Sequence, residues 1–176
     1  MHHAVTIIDD NIRYLQQGLQ LLRGISDDQY THASPPMYSS GVGGHLRHCL
    51  DHFYQLLDGV ADGKVDYDAR ARDVRLENDR GTAIQRTEAL VQTLSEFSGD
   101  ELDVPLMCKM DCGSENGIVW SESSVRREMQ FLVSHTVHHY ALIALILRHQ
   151  GVEPHPDFGV APSTVRYRES QLKCAQ

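Results

Sequence analysis

Apolar residues recur every three or four positions in four separate stretches of this chain. An α-helix turns once in about 3.6 residues, so that spacing gathers them on one face. Four such faces bury one another most simply as a bundle with the stripes turned inward. The first stretch runs from Val5 to Leu22, with Ile8, Ile12, Leu15 and Leu19 in register and Gly24 after it. The second runs from Val42 to Gly59 through Leu46, Cys49, Leu50, Phe53, Leu56 and Leu57. The third spans Thr82 to Phe97, opened by Thr82 and Gln85 as a capping box. The fourth begins near Ser121 or Ser123 and continues to about His149, with Gly151 just past its end.

The connections read less uniformly. "SDDQ" at Ser26 to Gln29 has the form of a capping box and predicts a short helical turn. "HASPPMYSSG" is a loop, because Pro35 and Pro36 cannot continue a helix. Ala61 to Asn78 is polar and charged, with too little periodicity to bound an element. Between Leu102 and Trp120, alternation at Val104, Leu106 and Cys108, then the turn-rich "DCGSENG" and "IVW", predicts a short hairpin. The tail "VEPHPDFGVAPSTVRYRES" carries three prolines and is expected to lie irregularly over the bundle. The expected fold is all-α: a four-helix bundle in one domain over residues 1–176, with a hairpin-like insertion before the last long helix and an irregular C-terminal tail.

Charge and cysteine usage narrow the functions. A net charge of -8 with histidine neutral disfavours a broad grip on a nucleic-acid backbone. No run of about eighteen apolar residues appears, so no membrane association is expected. The start lacks the pattern of a secretory signal. Cys49, Cys108, Cys112 and Cys174 are too few and too irregular for a disulfide framework, so a cytoplasmic protein with reduced thiols is expected.

Histidine is the unusual component. Of 11 histidines, six fall in two short clusters, His45, His48 and His52 on the second helix and His135, His138 and His139 on the fourth. On a helix, residues four apart project from one side, so His135 and His139 can reach one ion. Each buried neutral imidazole brings a donor and an acceptor that need partners, and leaving one unmet costs roughly 1–3 kcal/mol. A metal uses the lone pairs directly. The competing reading is a hydrogen-bonded core cluster. On the second helix the apolar stripe lies nearest His45, then His52, with His48 furthest, so periodicity alone favours His45 or His52 as a third ligand.

Two motifs carry a resemblance. "GVGGHLRHCLDHF" resembles the His-x-x-His-x-x-Asp motif of the second helix in the DinB-like, or YfiT-like, superfamily of four-helix metal proteins. "SHTVHHYALI" resembles that superfamily's fourth-helix His-x-x-His-His motif, and "DFGVAPSTVRY" resembles the tail of one branch. The resemblance implies a divalent metal, zinc, nickel or iron, held by His48, His135 and His139. His48 is selected because Asp51 follows three residues later. His45, His52 and His138 then become pocket residues, with His52 and His138 the candidates for a general base.

Three histidines leave a coordination position open, where a water or thiol can be activated. The resemblance thus implies a metal-dependent transferase or hydrolase acting on a small molecule such as a thiol, and a homodimer. The alternatives are a non-catalytic or stress-related bundle in which the metal is structural, and a plain bundle that pairs with itself or a partner. Other metal motifs fail: Glu-x-x-His, His-Glu-x-x-His and Cys-x-x-Cys-His are all absent. Cys49 is expected in the core, and Cys108 and Cys112 as ordinary partly buried thiols.

Overall fold

A computed structural model gives the fold and describes residues 6–113, 117 and 119–174. In chain order the elements are α1 (Ile7–Gly24), α2 (Asp27–Thr31), α3 (Val42–Val60), β1 (Lys64–Asp66), α4 (Val74–Asn78), α5 (Arg80–Ser95), β2 (Pro105–Lys109), β3 (Ser121–Ser124), α6 (Val125–His149) and α7 (Pro162–Cys174). The four long helices expected from periodicity are α1, α3, α5 and α6. Around the bundle, α1 packs on α5 and α6, and α3 packs on the same two. Their stripes meet in a core that includes Leu15, Leu22, Leu50, Phe53, Leu90, Leu94, Leu132 and Leu147. By length and composition α6 is apolar enough to cross a bilayer. In the bundle its apolar positions pack against α1 and α3 instead.

Local chemistry sets the helix starts. Thr6 caps α1 through a capping box with Asp9, and Val5 lies outside the described residues. Ser26 and Gln29 form the expected box at α2. Helix α5 starts two residues before the expected box: Asp79 is its cap and accepts from the Thr82 amide and hydroxyl. An aspartate accepts both bonds more strongly than Thr82 could serve Gln85, which moves the start upstream.

The hairpin exists with its second arm displaced. β2 and β3 pair antiparallel, with Leu106 opposite Ser123 and Cys108 opposite Ser121. The serines expected to open the fourth helix therefore form a strand, and Ser124 caps α6. Residues 114–116 and Ile118, within the expected tip and returning arm, lie outside the described residues. β1 adds parallel to β2, with Val65 opposite Cys108, and among the described residues completes a three-stranded sheet. Its three residues were too short a run to register as a strand, though Val65, Tyr67 and Leu76 of that polar stretch are fully buried.

The tail departs from expectation in one respect. Residues 152–161 are irregular, with Phe158 stacked on Tyr140 at 4.6 Å, but Pro162 opens a helix, α7. A proline at the first helical position sacrifices no hydrogen bond, so the last of the three prolines starts structure rather than breaking it.

One joint positions α3. Gly43 lies against the Glu77 carbonyl of α4 and 2.8 Å, by any added Cβ, from the Tyr30 ring of α2. The Tyr30 hydroxyl donates to the Leu76 carbonyl. Gly43 in the first turn of α3 is thus a packing device. It brings α3 close to α4 and sets the rotation of the helix that carries His45, His48 and His52.

Candidate metal centre

The two histidine clusters meet. Helices α3 and α6 are neighbours in the bundle, and their imidazoles interleave along the shared face. Nε2 of His48 faces Nε2 of His135 at 3.2 Å. Nδ1 of His45 faces Nδ1 of His139 at 3.1 Å. The His139 ring lies 4.6 Å from both the His48 and the His135 rings. The His52 ring lies 4.5 Å from His48 and 4.2 Å from His135. His138 stands exposed, with its ring 5.1 Å from His139. Among the described residues, one group of three offers ligand nitrogens all within 4.8 Å of one another: His48, His52 and His135.

Periodicity alone had separated His45 and His52 from His48. The structure brings all three to α6, because α3 buries more of its circumference than its apolar stripe covers. His48 projects into the α3–α6 seam rather than to solvent, and Gly43 lets α4 press on a different side of the helix.

Burial tunes these rings. His48 is pushed down to about 3 and His135 to about 2, first by burial and then by neighbouring imidazoles. His139 falls to about 4, and His45 and His52 are lowered too, again chiefly by burial. All five are therefore neutral at pH 7 and present lone pairs. The Nδ1–H of His52 donates to the His48 carbonyl at 2.7 Å. That bond leaves Nε2 of His52 as a free acceptor and fixes the ring, as an outer hydrogen bond does for metal-binding histidines.

The donor set fits a divalent ion. Two ligands on one tetrahedral ion, with bonds of about 2.0–2.1 Å, stand roughly 3.3 Å apart. The 3.2 Å between the His48 and His135 nitrogens matches that spacing. A single N–H···N bond would also span it, and Nδ1 of His135 is buried without a hydrogen-bond partner whichever of the two forms. Imidazole alone, without thiolate, suits zinc, nickel, iron and copper. Cys49 is fully buried in the core beside this face, as expected.

Three neighbours carry no histidine and escaped the sequence reading. Tyr67 stacks on His52 at 5.3 Å, and Phe131 stacks on His135 at 5.3 Å. The Tyr67 hydroxyl donates to Glu128 at 2.9 Å, and Ser123 donates to the other oxygen of the same carboxylate. Glu128, Phe131 and His135 are spaced by three and four along α6, so one face carries all of them. That spacing was the available signal. Tyr67 sits in the polar stretch and had none. On the other side of α3, Asp51 is buried and accepts from Arg47, which also bonds Glu77.

Comparison with known proteins agrees with this architecture. A family model for the DinB superfamily matches residues 15–143. The crystal structure of a DinB-like protein, YjoA from Bacillus subtilis, superposes with a TM-score of 0.56 at 18% identity, covering 86% of this chain and 94% of that one. At that identity the likeness shows the fold. An FK506-binding protein 5 from Rhizopus delemar is 33% identical over 108 residues, covering 61% of this chain and 28% of that protein. The chain thus matches less than a third of that relative's length.

Proposed function

The chain belongs to the DinB superfamily, and from that premise we propose that it is a metal-dependent enzyme whose divalent ion is held by His48, His135 and His139. One observation carries the reading: the 3.2 Å approach of the His48 and His135 Nε2 atoms, both on imidazoles that burial keeps neutral. His139 supplies the third nitrogen, from the same side of α6 as His135 and with its ring 4.6 Å from both partners.

With three protein ligands a position stays open, and an ion there lowers the pKa of a bound water or thiol enough to make a nucleophile at neutral pH. The chain's own groups supply the rest. His52 is held by its backbone bond with Nε2 free to accept a proton. The rings of Tyr67 and Phe131 cover His52 and His135 and limit the access of water. The reaction class is transfer or hydrolysis on a small molecule. Zinc, nickel and iron are the candidate ions.

A second reading has an observation in its favour. The imidazoles bridge α3 and α6, so an ion there also joins two bundle helices. A structural metal raises the melting temperature without supporting any activity.

Elemental analysis of purified protein, then thiol-transfer and hydrolase assays on chelated and reloaded protein, test the proposal. About one divalent ion per chain and metal-dependent turnover are expected. Protein that holds no metal, with a melting temperature indifferent to chelator and to added metal, overturns both readings.

A further inference from the structure

A cleft of about 370 Å³ opens beside the imidazole cluster, between the β2–β3 hairpin and the first turns of α6. Tyr67 and Phe131 line it and also stack on His52 and His135, so their rings form the partition between cleft and cluster. Its size suits a small organic molecule. Met110, Val119 and Phe131 give it apolar walls, and Arg127, Lys109 and Glu128 give it charge.

The charges are unequally committed. Glu128 is 6% exposed, and its two oxygens already accept from the Tyr67 and Ser123 hydroxyls. It has little left to offer a ligand. The Lys109 ammonium is paired with Asp66 at 2.7 Å. Arg127 is the exception: its guanidinium makes no hydrogen bond or ion pair among the described residues, and it stands exposed on the cleft wall. A free guanidinium fork is the side chain best shaped to hold a carboxylate, through two parallel charge-assisted bonds.

We propose that this cleft binds a small carboxylate with an apolar body, its carboxylate on Arg127 and its body against Phe131, Met110 and Val119. That the bound molecule is the substrate rests on the metal-dependent reading above; that it binds does not. Specificity for an acid over its neutral analogue then comes from one uncommitted cation, which suits a site whose other charged groups are already satisfied.

The chain's single tryptophan reports on the cleft, since Trp120 lies 5.2 Å from the Lys109 ammonium. Trp120 emission is followed while 3-phenylpropanoate or its amide is added to metal-loaded and to chelator-treated protein, with ligand-observed NMR as the second measurement. Saturable binding of the acid to both forms is expected. Arg127→Gln weakens it about tenfold or more, and the amide binds weakly and equally to both proteins. Among the described residues the Arg127 side chain makes no hydrogen bond or ion pair, so the variant is expected to keep its fold, checked by its melting temperature. Equal binding of acid and amide, an unaffected Arg127→Gln variant, or no binding by either method overturns the assignment. Binding that vanishes on chelation places the carboxylate on the ion and overturns it too. Binding by protein that never holds a metal leaves this inference standing and removes the enzymatic one.

Discussion

The Nε2 atoms of His48 and His135 lie 3.2 Å apart across the seam between α3 and α6. Neither ring can be protonated near pH 7 where it sits, and no acceptor serves Nδ1 of His135. Two neutral imidazoles turned on one another in this way are poised for a shared cation.

On the proposed ligand set, removing either ring removes a ligand. His48→Ala and His135→Ala are each expected to lower metal affinity by more than the roughly 10–100-fold that an outer partner costs. Competition with a chromogenic chelator measures it. The third ligand separates in the same assay: His139→Ala loses the ion, whereas His52→Ala keeps about one equivalent and loses turnover. The reverse order would move the third ligand to His52, whose nitrogen lies within 4.8 Å of the same pair.

Acid weakens the metal-free fold. The ordinary histidine value is 6.5, and the folded chain holds His48, His135 and His139 at about 3, 2 and 4. As pH falls through 6.5 the unfolded chain takes up protons that the folded chain refuses. The unfolded state binds more protons, so stability drops. The loss begins near 6.5, eases once His139 protonates in the fold at about 4, and runs on to about 2 for His48 and His135. Melting temperatures of chelator-treated protein are expected to decline across that window, and less steeply for His139→Gln. A flat profile contradicts the burial argument.

Asp51 depends on Arg47. The carboxyl is 5% exposed, and burial raises its pKa against the opposing pull of the Arg47 guanidinium at 3.1 Å. Arg47→Met leaves that carboxylate without its cation and is expected to cost about 3 kcal/mol in urea unfolding. Adding Asp51→Asn recovers most of the loss. A single variant as stable as the parent would mean that the pair contributes nothing.

Gly43→Ala tests the joint under the site. Alanine gains up to about 1 kcal/mol in helix propensity. Its Cβ would press into the Glu77 carbonyl, which belongs to backbone and cannot swing away. Overpacking of this kind costs about 1–3 kcal/mol, so a net loss is expected. Metal affinity should fall with it, because α3 must move to make room. A stabilised variant with unchanged affinity would show that α3 does not need that close approach.

Much of this was legible in the residues. The apolar period placed α1, α3, α5 and α6, because a stripe at helical spacing can be buried in few other ways. The motifs around His48 and His135 indicated a metal-binding bundle. Helix starts were less legible, since Asp79 and Ser124 compete with nearby caps and only the pairing of β3 with β2 decides for Ser124. The sequence by itself determined four amphipathic helices and two sets of imidazoles, because both follow from spacing along one chain. Tertiary structure alone decided which rings meet and what surrounds them. Rotation of α3 about its axis depends on how closely α4 approaches Gly43. Tyr67 reaches His52 only because β1 pairs with β2. Such contacts join residues far apart in the chain, and no local period encodes them.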